Sequence, residues 1–212
     1  MILSKEVVLR DIEALPNNYK TKDIDGLISK YVKEKGDVSA LRDSVLVEQR
    51  FHRIYYYVNL KQIKEPLKRF QFIHKNLFFS DWWHTDELIN FVGDVDFDLA
   101  YQYAKKYVRS KDPYIRRWGY VLFISKLCRG KAAELLELLK DDDAYTVQMA
   151  EAWLIAELAV FEPKVVYKWF QVNGLKYNIN GKAIQKICDS FRISNEWKEK
   201  YKALREGLKN NR

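Results

Sequence analysis

The chain has 212 residues and carries a net charge of +8, with a pI near 9.2. Hydrophobic residues make up 48% and charged residues 31%, which allows a packed core and argues against a disordered chain. Only 8 Gly and 4 Pro argue against a turn-rich β-sandwich or barrel. The basic charge favours an acidic partner, nucleic acid first and an anionic membrane surface second.

Amphipathic segments of helical period follow one another along the chain, joined by short turns. In chain order the predicted helices are 2–15, 21–35, 37–57, 60–78, 82–92, 96–109, 113–129, 131–140, 144–160, 163–173, 178–191 and 194–208. Ser80 or Asp81 is expected to cap helix 82–92, and Ser194 the last helix. No segment alternates strictly enough to predict a strand.

This succession predicts an all-α fold of HEAT-like helical repeats, an α-α superhelix or solenoid. Such an array curves, and we expect a concave basic face to form its binding surface. We predict a single domain over residues 1–212.

Cofactors, metals and membrane contact are not expected. Cys128 and Cys188 lie far apart in apolar helical patterns, and the three His form no metal-binding motif with them. The N-terminus is charged and amphipathic, and no run of about 18 apolar residues occurs. We therefore expect a cytoplasmic, nucleoid-associated protein.

The stretch 78-FFSDWWHTDEL-88 carries the most distinctive pattern. Trp82 and Asp86 are four residues apart, so on a helix they share one face. An aromatic ring and a carboxylate side by side both attract a cation. By local pattern alone, the alternative is a packed Trp and an Asp that serves the helix N-terminus.

From about residue 75 onward the chain resembles the AlkD-type DNA alkylation-repair glycosylases, which are all-α proteins of HEAT-like repeats. The resemblance rests on 82-WWHTD-86, on 112-DPYIRRWGYVL-122, on 145-YTVQMAEAW-153 and on 163-PKVVYKWF-170, in this order. Residues 1–75 are divergent helices without the family's N-terminal fingerprint, and 76–212 is the part that resembles the family.

The resemblance implies a role for each matched residue. Trp82 and Trp153 correspond to the two active-site tryptophans, Asp86 to the catalytic acid, and Arg117 to an arginine that holds a DNA phosphate. Tyr145, in the same motif as Trp153, is expected to contact DNA.

The motif leaves its register open at two points. Trp83 could replace Trp82, in which case Glu87 would replace Asp86 as the acid, and Arg116 could replace Arg117. Gln148, also in the motif of Trp153, is a further expected DNA contact. By pattern alone Trp153 is a core residue, since its neighbours in AEAWLIAEL are apolar.

The implied function is that of a monomeric, metal-free N-glycosylase that removes N3- or N7-alkylated purines from alkylated or distorted double-stranded DNA. Positive side chains that the family places around its second Trp appear here as Met149 and Ala156. Two alternatives stay open: a non-catalytic HEAT-like module that binds damaged or branched DNA, and a solenoid that binds another protein.

Overall fold

The computed structural model describes residues 2–172 and 177–210 and divides into two compact units, 1–80 and 81–212. The predicted all-α fold is confirmed, because no strand occurs within these described ranges; an isolated bridge joins Ile2 and Asp37. No helix in the same ranges combines the length and the hydropathy needed to span a bilayer. A single domain over 1–212 stays a prediction.

Over its described residues, 2–80, the N-terminal unit contains four α-helices and a short 3-10 helix. They are α1 (Lys5–Glu13), α2 (Thr21–Lys33), the 3-10 helix (Ser39–Ser44), α3 (Gln49–Gln62) and α4 (Pro66–Lys75). Helix α3 packs against α2, α4 and the 3-10 helix. Its Tyr55 and Tyr56 are buried and form part of the core between these helices.

Two predicted helices of this unit have different bounds in the structure. The predicted helix 37–57 is two elements, because the Glu48 carboxylate accepts the Arg50 backbone N–H at 3.2 Å and starts α3 at Gln49. The predicted helix 60–78 begins only at Pro66, since proline is favoured in a first turn and disfavours helical backbone before it.

The second unit contains eight α-helices within its described residues, 81–172 and 177–210. They are α5 (Trp82–Asp86), α6 (Phe97–Tyr107), α7 (Pro113–Val121), α8 (Ala132–Leu138), α9 (Tyr145–Phe161), α10 (Pro163–Val172), α11 (Tyr177–Asp189) and α12 (Asn195–Asn210). Helices α5, α7, α9 and α11 pack in succession as one layer, and α10 packs against α8 and α12 in a second layer. This stacking is the predicted HEAT-like arrangement.

Helix α9 is the centre of the unit, because it packs against α7, α8, α10 and α11. Its sequence is apolar on nearly all sides, as a helix enclosed between two layers requires. Its residues Tyr145, Met149 and Trp153 recur every four positions, which places them along one face.

Two predicted helices of the second unit are shorter than expected. Helix 82–92 ends at Asp86 and is followed by a 3-10 turn at Ile89–Phe91, which buries Leu88 and Val92. Helix 113–129 ends at Val121, before a second 3-10 turn at Lys126–Cys128 that the Ser125 hydroxyl caps.

Gly119 lets α7 pack closely on the end of α6. A β-carbon at this position would lie 2.8 Å from Val108 Cγ1 and 3.1 Å from Tyr107 Cβ. The close approach fixes α7 and with it the arginine one half-turn earlier, Arg117.

Candidate active site

A pocket of about 400 Å³ opens in the second unit where α5, α7, α9 and α11 meet. We call it the Asp86 pocket. Its lining residues are Trp82, Asp86, Arg117, Tyr145, Thr146, Met149, Trp153 and Lys186.

Helix α5 places the first two of these residues at its opposite ends. The Asp81 carboxylate accepts the Trp82 backbone N–H at 2.6 Å and starts the helix, as predicted for a cap at this position. Four residues later Asp86 lies on the same face. The Trp82 side chain is 57% exposed, so its ring is presented to solvent at the edge of the pocket instead of being packed in the core.

The Asp86 carboxylate is held by Arg117 from α7. Arg117 Nη2 donates to Asp86 Oδ1 at 2.7 Å, and Arg117 Nε lies 3.2 Å from the same oxygen. The hydroxyl of Thr85 is also 3.1 Å from Oδ1. Oδ1 therefore takes part in all of these hydrogen bonds, and within the described residues Oδ2 has no hydrogen-bond partner.

Arg117 is itself buried and fully oriented. Its side chain is 5% exposed; Nη1 donates to the Thr146 carbonyl at 2.8 Å, and Nε donates to the Thr85 hydroxyl at 3.0 Å. A guanidinium fixed at both ends by α5 and α9 holds a carboxylate in one orientation. This placement favours an orienting role for Arg117; its predicted phosphate contact stays a prediction.

Two further predicted residues, Tyr145 and Trp153, line the same pocket from α9. Tyr145 is 68% exposed at the first position of the helix. Trp153 is partly exposed, which differs from the fully buried core residue that its apolar neighbours in sequence indicate.

The structure places the alternative residues elsewhere. The Trp83 ring packs edge-on against His84, with centroids 4.0 Å apart, and in the described part of the chain neither Trp83 nor Glu87 belongs to the lining of the Asp86 pocket. Arg116 binds Asp142 through two hydrogen bonds of 2.6 and 3.0 Å. The geometry thus favours the register Trp82, Asp86 and Arg117.

Gln148 also lies outside this lining, although its motif predicted a DNA contact. It is 8% exposed, and its side-chain amide donates to the Asp142 carbonyl at 2.8 Å. That bond ties α9 to the turn before it, and Gln148 Oε1 lies 3.4 Å from Lys182 Nζ of α11.

The sequence does not indicate Lys186 or Thr146 as site residues, and it indicates Met149 only as the replacement of a positive side chain that the family places around its second Trp. Lys186 reaches the pocket from α11, and Thr146 supplies a backbone carbonyl. The sequence does show that Lys182 and Lys186 are four residues apart on the polar side of an amphipathic helix. Only the packing of α11 on α9 determines that this polar side lies at the pocket.

Metal sites in proteins are commonly built from His, Cys, Asp and Glu side chains. In residues 2–172 and 177–210 no group of three His, Cys, Asp or Glu side chains could hold a metal ion, and Cys128 and Cys188 are free thiols. Burial raises the pKa of the Cys128 thiol to about 11, so this group is a protonated, unreactive core residue.

The fold and the pocket define a helical-repeat protein with a carboxylate set between aromatic side chains. The family model described as "DNA alkylation repair enzyme" matches residues 19–187, and the chain belongs to this family. The match starts well before residue 75, where the recognisable motifs begin, so the likeness includes most of the N-terminal unit. Family membership implies DNA as the partner. Among curated proteins, none matches the chain.

Proposed function

We propose that this protein is a monofunctional DNA N-glycosylase that hydrolyses the glycosidic bond of positively charged N3- or N7-alkylated purines in duplex DNA. The observation that carries the proposal is the Asp86 carboxylate, oriented by Arg117 through Oδ1 with Oδ2 free, in a pocket edged by Trp82 and Trp153. Such a site suits a cation.

The substrate itself lowers the demand on the enzyme. An alkylated purine already carries a positive charge, so when the bond from C1′ to the base nitrogen breaks, its electrons neutralise the base. The leaving group therefore needs no proton. The sugar becomes an oxocarbenium-like cation, and a water molecule adds to C1′ and releases a proton.

Asp86 is proposed to act on this cation. Its free Oδ2 can stabilise the positive charge that develops on the sugar, and it can accept a hydrogen bond from the attacking water and then its proton. Arg117 is a positioning residue in this scheme, since it touches Asp86 and fixes the direction of Oδ2. No metal or cofactor enters the reaction.

The two tryptophans add cation–π attraction. A ring face over a cation contributes roughly 0.5–2 kcal/mol, and about 1.4 kcal/mol corresponds to a tenfold change in rate. The exposed edge position of Trp82 suits a ring that meets its partner only in the complex. We propose that the protein acts as a monomer on alkylated or otherwise distorted DNA; a cytoplasmic, nucleoid-associated location stays a prediction.

The test is base release from methylated duplex DNA. Purified protein in excess over DNA is expected to liberate 7-methylguanine or 3-methyladenine, detected by chromatography, and to leave abasic sites. Release of neither base at high protein excess would remove the enzymatic proposal. Salt-dependent binding without release would instead support the non-catalytic DNA-binding module.

A further inference from the structure

Helix α11 brings two lysines to the edge of the Asp86 pocket. Lys182 and Lys186 are four residues apart and therefore lie on one face of the helix. Lys186 lines the pocket together with Met149 and Trp153. Lys182 lies beside the exposed Tyr145, with its ammonium 5.5 Å from the ring centroid.

A second, shallower cavity continues from the pocket along this face. Its volume is about 500 Å³, and it shares Tyr145, Met149 and Lys186 with the Asp86 pocket. Arg205, from the neighbouring helix α12, lines the far side. We call Lys182, Lys186 and Arg205 the α11 strip.

The cations of the α11 strip differ from the other cations around the pocket in their pairing. Arg117 binds Asp86, Arg116 binds Asp142, and Arg192 binds Glu157. Each of those charges is paired with a carboxylate of the protein. Among the described residues, by contrast, no ion pair includes a member of the α11 strip.

The polar contacts of the strip are neutral and few. Lys182 Nζ lies 3.4 Å from Gln148 Oε1, and Arg205 Nη1 donates to Gln185 Oε1 at 2.9 Å. Among the described residues, one acid, Asp189, lines the same cavity, and it accepts from the Gln185 amide at 2.8 Å. Three positive charges therefore face one negative charge, and the surplus is available to an external anion.

We propose that the α11 strip binds successive phosphates of the DNA strand next to the nucleotide in the Asp86 pocket. The identity of the partner as DNA rests on the proposed function. The two lysines are about 6 Å apart along the helix axis, whereas each DNA strand carries one phosphate per roughly 3.4 Å of duplex axis, so the strip is long enough for more than one phosphate. The exposed rings of Tyr145 and Phe191, 68% and 92% exposed, offer stacking surfaces nearby.

The experiment compares two double variants of the full chain. Lys182→Gln/Lys186→Gln removes two charges from the strip. Lys164→Gln/Lys168→Gln removes two charges at the same spacing from α10, where Lys168 lines a groove that is separate from the Asp86 pocket. Binding of each variant to an unmodified DNA duplex is followed by fluorescence anisotropy over a series of salt concentrations, with circular dichroism to check folding.

The strip variant is expected to bind more weakly, and the slope of log K against log salt is expected to become shallower by about 1.8, or about 0.9 for each lost phosphate contact. The α10 variant is expected to keep the wild-type slope. Equal slopes for the two variants, or wild-type protein that fails to bind duplex at low salt, would overturn the proposal. So would a loss of binding to anionic lipid vesicles, caused only by the strip variant, with DNA binding unchanged.

Binding is measured without base release, so the two proposals fail separately. If the strip variant has a shallower slope but the wild-type protein releases no base, the α11 strip proposal stands and the glycosylase proposal fails. If the wild-type protein releases base but the strip variant keeps the wild-type slope, the glycosylase proposal stands and the α11 strip proposal fails.

Discussion

Two of the cavities in the second unit have aromatic residues in their linings and differ in how their charges are held. The α8–α10 groove, lined by Leu136, Glu137, Val165, Lys168 and Trp169 among others, is the larger at about 670 Å³. The Asp86 pocket, at about 400 Å³, has a carboxylate fixed by a buried arginine.

In the groove, Glu137 and Lys168 are exposed side chains that water solvates. In the pocket, Asp86 is one-fifth exposed and keeps a single orientation through Arg117. Volume and aromatic content therefore do not distinguish the proposed site from a surface groove. The two cavities differ in that the pocket holds a preorganised charge partly withdrawn from water, and the field of such a charge is weakly screened.

The largest expected effect comes from Arg117→Ala. It leaves the Asp86 carboxylate without its cation in a mostly buried position, so the free energy of unfolding is expected to fall by about 3–5 kcal/mol. Lys168→Ala, in the groove, is expected to change it by less than about 0.5 kcal/mol. Urea unfolding of both variants checks this, and equal stabilities would break the distinction between the two cavities.

Besides Asp86 of the pocket and Glu137 of the groove, Glu151 of α9 shows how burial affects a carboxyl group that has no cationic partner among the described residues. It is fully buried, and its Oε1 accepts the Lys140 backbone N–H at 3.2 Å. Burial raises the pKa of Glu151 from 4.5 to about 8, and the carboxylates of Asp142 and Asp141 add to the increase.

Because this pKa is higher in the folded protein than in the unfolded chain, the folded state binds the extra proton between pH 4.5 and 8. The contribution of Glu151 to stability is therefore greatest below pH 4.5 and is lost as the pH rises through 8. Glu151→Gln is expected to remove this loss, which is on the order of a few kcal/mol at pH 9. Thermal unfolding at several pH values measures it; parallel pH profiles for wild type and variant would refute the assignment.

A smaller effect is expected from the tryptophans. Trp82→Ala is expected to lower the rate of base release about tenfold, the equivalent of one cation–π contact, with little change in stability because the ring is exposed. Trp169→Ala, in the groove, is the matched control and should leave the rate unchanged. Single-turnover kinetics compare the two variants. An equal loss of rate in both would show that Trp82 has no special role in base release.

The sequence was most informative where local chemistry determines structure. Asp81 starts α5 and Ser194 caps α12, as expected for short polar side chains before apolar periodic segments. The face shared by Trp82 and Asp86 follows from helical spacing alone. The lengths of α5 and α7 did not follow, because burial of residues such as Leu88 and Leu122 ends these helices in tight turns.

The choice between Arg116 and Arg117 could not be made from local pattern, because adjacent residues on a helix point about 100° apart and only packing decides which one faces α5. For the same reason, the sequence did not predict that Lys186 lines the pocket. Its role depends on α11 lying against α9, a contact between distant parts of the chain.

The most direct test of the central claim is the single-turnover rate of base release from methylated duplex DNA by Asp86→Asn and by the groove variant Glu137→Gln. Asn can still accept the hydrogen bonds of Arg117 but carries no charge. We expect a loss on the order of 10²–10³-fold for Asp86→Asn, with its fold retained, and a wild-type rate for Glu137→Gln. A wild-type rate for Asp86→Asn would contradict the central claim.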